Sequence, residues 1–323
     1  MRHKGCRLKW GAFALASIPA RESLRKALQT VAPGPPWREY LDEAAFRLTQ
    51  AVREGSPIVT LTGATASPAR ELVPNMLYEG EPTLLYADGD TGKSLFGVAL
   101  AVATRSGRAL PCGLRPARAV PTAILDWETS RQTIETRGSL VATGLEIPTP
   151  AIFYKPMNRP LVDEAEQLAT EFSRRDVGFV VIDSMIFALK GGEGVGFHDA
   201  STAFYNALRL FSPAATLVLS HVTNDAARAG GPARSFGGAF AFNGPRLAWE
   251  AKRDQEVAGA TALTFTCRKA NNLAQRPDPF GLLFEPAPGP STSASSICAR
   301  PRRVPCPASA CPNAFVLPWP AVP

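Results

Sequence analysis

From Pro82 onward, short continuous apolar runs alternate with longer stretches whose apolar residues recur at helical spacing. Pro82–Tyr86 predicts a buried strand and Leu95–Ala103 an apolar helix. Further strands are expected at Ala119–Trp127, Ala151–Tyr154, Val177–Asp183 and Thr216–Ser220. Helices are expected between them at Thr129–Thr143, with Thr129 or Ser130 as its cap, at Val162–Arg175 and at Asp199–Leu210. Strands that are apolar throughout, rather than at every second position, are covered on both faces. Their alternation with helices predicts an α/β fold, a largely parallel sheet between two helical layers. The pattern then turns to strands alone, Arg246–Lys252, Ala262–Arg268 and Gly281–Glu285, most simply an antiparallel extension of that sheet. Upstream, Pro35-Pro36 opens a helix from Trp37 to about Glu54, with Trp37, Tyr40, Leu41, Ala44, Leu48 and Val52 at helical spacing.

These patterns divide the chain into a basic flexible leader (1–36), a helical arm and linker (37–80), an α/β domain (81–285) and a Pro-rich tail (286–323). Ten of the 30 prolines fall in that tail among Ser and Ala, a composition that buries too little surface to offset ordering entropy. It fits a disordered tail, or equally an out-of-frame or truncated end in place of a lost domain. Charge follows the same division. The net charge is +7, yet residues 1–30 carry seven Lys/Arg against one Glu, and residues 289–323 three Arg against no acid. The 25 basic and 27 acidic residues left between them make the central domain slightly acidic, so a high pI does not by itself imply nucleic acid. The six cysteines show no Cys-x-x-Cys pair and no histidine at ligand spacing, which speaks against zinc and suits reduced thiols in a cytoplasm. The N-terminal Met1–Ala16 only faintly imitates a secretion signal, and no apolar run reaches membrane-spanning length.

Candidate chemistry begins directly behind the first strand, at Ala87-Asp88-Gly89-Asp90-Thr91-Gly92-Lys93-Ser94. A Gly-containing turn between a strand and a helix presents successive backbone N–H groups and the positive helix end to phosphates. Ala87 through Leu95 would form the cradle, Lys93 would supply a point charge, and the Ser94 hydroxyl would be a ligand for Mg²⁺. The expected ligand is a nucleoside triphosphate. Asp183 ends the strand Phe179–Ile182 and would hold the Mg²⁺ shell. Glu128 closes the strand Ala123–Trp127 and would orient and deprotonate an attacking water. Asp126 competes for that role, but strand alternation sends it to the other side from Trp127, so Glu128 is chosen. His221, at the end of Leu217–Ser220, is placed to sense the γ-phosphate. Between residues 228 and 276, Arg228, Arg234, Arg246, Lys252, Arg253, Arg268, Lys269 and Arg276 outweigh Glu250, Asp254 and Glu256. One of these arginines could reach a neighbouring subunit's phosphates, and Gly230-Gly231 and Gly237-Gly238 would make the intervening loop mobile enough for a nucleic-acid backbone.

In this order the segments resemble a RecA-type ATPase of the RepA-like hexameric helicase group, over about Trp37 to Glu285. The resemblance is carried by Ala87–Ser94, Leu125-Asp-Trp-Glu128, Val181-Ile-Asp183-Ser, Leu219-Ser-His221-Val-Thr, Ser235-Phe-Gly-Gly238 and Asn243-Gly-Pro-Arg246-Leu-Ala-Trp249. It implies a RecA-like P-loop core, ATP with Mg²⁺, Glu128 as catalytic glutamate, His221 as sensor and Arg246 as the trans-acting arginine. It further implies a homo-hexameric ring moving on single-stranded DNA, with no membrane partner. Ala87 and Asp90 stand where that family often has glycine, Asn224-Asp225 follows where a lysine is common, and Gly238 replaces a frequent serine. Two other readings compete: an ATPase that controls recombination or partner loading without unwinding, and a weakly hydrolysing interaction protein.

Overall fold

The structure is a computed structural model that describes residues 2–3, 6–7, 17–54, 60, 69–191, 196–222, 238–254, 260–273, 275–286 and 314–319. It divides into two compact units, residues 1–67 and 68–323. In the first, β1 (Arg2–His3) pairs with β2 (Cys6–Arg7), and helices α1 (Ile18–Val31) and α2 (Trp37–Glu54) pack through Leu24, Leu28, Trp37 and Leu41. The α1 helix revises the expectation of a flexible leader. Ser17 caps it by accepting from the Ala20 N–H at 3.5 Å, and Pro19 occupies its first turn, where no N–H is needed. Two of its basic residues are paired, Arg21 with Asp42 at 3.0 Å and Arg25 with Glu22 at 2.7 Å.

The second unit opens with a hairpin of β3 (Glu71–Val73) and β4 (Leu77–Tyr78). There follow β5 (Pro82–Ala87), α3 (Lys93–Ser106), β6 (Thr122–Asp126), α4 (Arg131–Gly144), β7 (Phe153–Pro156), α5 (Leu161–Arg174) and β8 (Phe179–Asp183). The chain continues through the short α6 (Met185–Ala188), α7 (Phe197–Arg209), β9 (Ala215–His221), α8 (Gly238–Asn243), β10 (Leu247–Asp254), β11 (Thr261–Ala270), β12 (Phe280–Pro286) and β13 (Ala314–Trp319). Nine strands, β5 to β13, form one sheet in the order β13-β12-β11-β10-β5-β9-β8-β6-β7. Every pairing from β10 across to β7 is parallel, so the expected parallel α/β core is present.

The strand-rich extension is antiparallel within itself, β10 with β11 and β11 with β12, and it joins the core through β10, which runs parallel to β5. One detail departs from expectation. Within the segment expected to be a disordered tail, Ala314–Trp319 pairs parallel to β12, its Phe-Val-Leu run supplying strand composition. The rest of that tail beyond Pro286 lies outside the described residues. So do the linker 55–68 apart from Thr60, Asn224, Asp225, Arg228, Gly230, Gly231, Arg234, Ser235, Phe236 and Gly237. Among the described residues no helix is long and apolar enough to cross a membrane.

Alternate side chains of the central strands enter two cores. Leu85, Val181 and Leu219 join Phe96 and Leu100 of α3 on one face; Tyr86, Ile182 and Val218 join Leu168, Phe172 and Phe204 on the other. Helix α3 has no side-chain cap, so burial holds it. Burying Phe96, Leu100 and Val102 contributes ~1.5–3 kcal/mol each, against ~1 kcal/mol for a cap. Gly97 lets this helix approach the sheet closely: a Cβ there would lie 3.2 Å from Leu219 Cδ1 and from Val181 Cγ1. That approach fixes the start of α3 over the end of β5.

Candidate functional site

The loop between β5 and α3 has the backbone that its sequence requires. Gly92 caps α3 at φ 101°, a conformation open to glycine, and Asp90 lies in the left-handed region at φ 54°. The Thr91 hydroxyl donates to the Asp88 carbonyl at 2.6 Å and braces the turn. Lys93 is 6% exposed and lies back along its own loop, donating to the carbonyls of Asp88 at 2.7 Å and Ala87 at 3.2 Å. Burial lowers the Lys93 ammonium below its ordinary pKa, opposed by the nearby carboxylates of Asp183, Glu128 and Asp88. An anion placed in this turn would find a buried cation and the first amides of a helix, which have no partner within the helix itself. Ala87 and Leu95 bury their side chains in the core, so only their backbone can contribute to the cradle.

The other residues arrive on neighbouring strand ends. Register sets Ala87 of β5 beside His221 of β9, and Asp183 of β8 beside Asp126 of β6. The Trp127 N–H donates to the Asp183 carbonyl at 2.7 Å, which carries the chain across from β6 and delivers Glu128 to the same edge. Glu128 Oε1 accepts from the Ser184 hydroxyl and lies 3.3 Å from His221 Nε2. His221 Nδ1 in turn is 3.4 Å from Lys93 Nζ. A continuous chain of contacts therefore runs Ser184, Glu128, His221, Lys93. Asp126 is engaged elsewhere: its carboxylate accepts from the N–H groups of Glu128 and Thr129, both at 2.9 Å, and from the hydroxyls of Thr129 and Tyr154. It holds the turn that presents Glu128. The cap of α4 is Ser130, which accepts from the Thr133 N–H.

Asp183 is 3% exposed. Burial pushes its carboxyl up to about 6; a hydrogen bond from Ser94 pulls it down, Glu128 and Asp126 raise it further, and Arg137 opposes them. A buried carboxyl bonded to a hydroxyl is a hard oxygen pair that suits Mg²⁺, which takes few protein ligands and fills its shell from water and phosphate. Among the described residues no group of three or more His, Cys, Asp or Glu could hold a metal, so an ion here would rest on Ser94 and Asp183 with oxygens from outside the chain.

Arg246 is not brought to this cluster. It is exposed just before β10, whose first residue, Leu247, is registered with Thr83 at the opposite end of β5 from the phosphate loop. Two contributors went unread in the sequence. Ser184, directly behind Asp183, was legible as a strand-end hydroxyl but not as the partner of Glu128. Arg253, at the far end of β10, donates to the Asp90 carbonyl at 3.0 Å and lies 3.2 Å from its Oδ2. Asp90 thereby faces outward, its side chain almost fully exposed, and an acid within a phosphate-binding turn is accommodated.

The family description for the AAA domain matches residues 52–227. The chain belongs to the AAA domain family. The matched span runs through the phosphate loop, Glu128, Asp183 and His221 and ends before Arg246. With the parallel sheet and the loop geometry, this makes the protein a P-loop ATPase of the AAA type. No curated protein matches the chain.

Proposed function

We infer that this AAA-family protein hydrolyses ATP with Mg²⁺, that its sites are completed between copies in a RepA-like ring, and that the ring works on single-stranded DNA in a cytoplasm. The observation that carries the hydrolytic reading is the placement of Glu128. It shares an edge with Lys93 and Asp183, is oriented by Ser184, and is bridged to Lys93 by His221. A carboxylate so held can orient a water and take its proton. Lys93 would leave its own carbonyls for the terminal phosphates, and His221, touching both Lys93 and Glu128, is placed to register that change. Ser94 and Asp183 would hold Mg²⁺, which supplies charge neutralisation at the phosphates when bound. The position of Arg246, exposed and remote from its own loop, supports action on a neighbour's nucleotide. The ring and the DNA substrate rest on the resemblance to RepA-like helicases together with the local excess of base between residues 228 and 276.

The test is ATP turnover with and without single-stranded DNA, in the parent protein and in Lys93→Ala, followed by strand displacement. Turnover that DNA stimulates and Lys93→Ala abolishes supports the motor. Lysine-dependent turnover indifferent to DNA removes the DNA motor and leaves the ATPase. Bound nucleotide without turnover removes the hydrolytic role of Glu128.

A further inference from the structure

A second polar cavity, of about 520 Å³, lies at the opposite end of the sheet from the phosphate loop. Three connections bound it: the β3–β4 turn, the chain after α3, and the link from β11 to β12. Its volume falls within the range of about 300 to 1,000 Å³ usual for small organic ligands. Arg115 and Arg276 reach it from segments far apart in sequence. Neither forms an ion pair among the described residues, whereas Arg118, three residues from the first, is paired with Glu79 at 2.6 Å. Trp249 lines the same cavity from within the core, 1% exposed, and its buried Nε1–H has no hydrogen-bond partner among the described residues. An unmade hydrogen bond of this kind costs roughly 1–3 kcal/mol, so such a donor marks a place where an acceptor is to be expected.

The remaining polar groups narrow the ligand. Asn75 and Gln275 contribute amides that both donate and accept, and Asp278 a carboxylate that only accepts. Phe280, packed edge-on to Trp249 at 5.3 Å between ring centroids, offers an aromatic surface. We propose that this cavity is a second ligand site, separate from the phosphate loop, that takes a nucleoside monophosphate. The two guanidiniums bind the phosphate, for which their planar forks are suited. Asp278 accepts from the ribose hydroxyls, and the two amides with the Trp249 N–H read the edge of the base. A nucleoside without phosphate forfeits the arginines, and a sugar phosphate without base forfeits the amides, the indole and the ring. Each should therefore bind more weakly than the whole ligand.

The experiment is calorimetric titration of the full chain carrying Lys93→Ala, which disables the phosphate loop, with AMP, adenosine and ribose 5-phosphate. AMP is expected to bind one site per chain, and the two fragments at least about tenfold more weakly. Arg276→Ala and Arg115→Ala, both on exposed connections, should each raise the AMP dissociation constant about tenfold or more. Trp249→Phe removes the donor but keeps the ring; measured beside its unfolding curve, it should weaken AMP and leave ribose 5-phosphate unchanged. Cys112, half-buried in the cavity wall, gives the location: bound AMP should slow its alkylation, read by peptide mapping. The proposal is overturned if AMP gives no heat at millimolar concentration, if its affinity survives both arginine substitutions, or if either fragment binds as tightly as AMP. It is equally overturned if AMP binds the parent protein but not Lys93→Ala, since the ligand would then occupy the phosphate loop.

Discussion

Two acids two residues apart, Asp126 and Glu128, have opposite fates because one is saturated and the other is not. Four protein donors engage the Asp126 carboxylate, while Glu128 keeps an oxygen beyond its contacts with Ser184 and His221. Glu128→Gln keeps the shape and a hydrogen-bond acceptor but loses the base, so turnover should fall by about 10²–10⁴ while nucleotide binding persists. Steady-state rates beside filter binding check this, and near-normal turnover would remove Glu128 from the chemistry. Asp183 gives a prediction of opposite sign for stability. Its folded pKa of about 6 exceeds the ordinary 3.8. Between those values the folded state therefore holds a proton that the unfolded chain has released, and nucleotide-free stability declines as pH rises through that window. Asp183→Asn should remove this loss, gaining up to about 3 kcal/mol near neutral pH and nothing below about pH 4. Urea melts without nucleotide measure it, and the same variant should lose Mg²⁺-dependent turnover.

At the scale of elements, the phosphate loop is tied from outside itself. Arg253 at the end of β10 holds Asp90, and the pair is largely exposed, with side chains 41% and 99% accessible. Exposed pairs stabilise little, so Arg253→Ala should shift the unfolding free energy by less than about 0.5 kcal/mol. The loop, freed of its tether, must then be ordered by the nucleotide, and KM for ATP should rise severalfold with kcat nearly unchanged. A larger loss of stability, or a fall in kcat alone, would contradict a positioning role. This tether also marks the limit of what the sequence conveys. The strands β5, β6, β8 and β9 and the loop after β5 could be read because each is a local pattern, continuous apolar residues followed by a characteristic turn. The Asp90–Arg253 and Glu128–Ser184 pairs join residues 163 and 56 positions apart, and local periodicity carries no record of such meetings. Helix α1 lies in residues 1–36, which read as one basic flexible leader; the pairing of Arg21 with Asp42 joins residues 21 positions apart and leaves no local pattern.

For the whole molecule, the division of labour between the two ends of the sheet matters most. One end carries Lys93, Glu128, Asp183 and His221, and the other carries Arg246. A site assembled from both ends needs two copies, and mixing tests it. Lys93→Ala and Arg246→Ala should each be inactive alone. Combined in equal amounts and allowed to exchange, about a quarter of the interfaces would regain both groups, so about a quarter of the activity should return. Recovery of none would place Arg246 outside the site.

Strand β10 has a mechanical consequence. It begins beside Arg246 and carries Arg253, which grips the phosphate loop, near its other end, a span of about 25 Å; it is bonded to β11 along its length and to β5 over Leu247–Glu250. A ribbon bonded along its whole length to one neighbour, and over its first half to a second, resists stretching and bending, so its ends are displaced together. If Arg246 acts on a neighbour's nucleotide, as proposed, a pull on it would be felt at the loop that grips the protein's own, and emptying one site would loosen or tighten the next. Copies wired in this way would fire in succession around a closed assembly instead of independently.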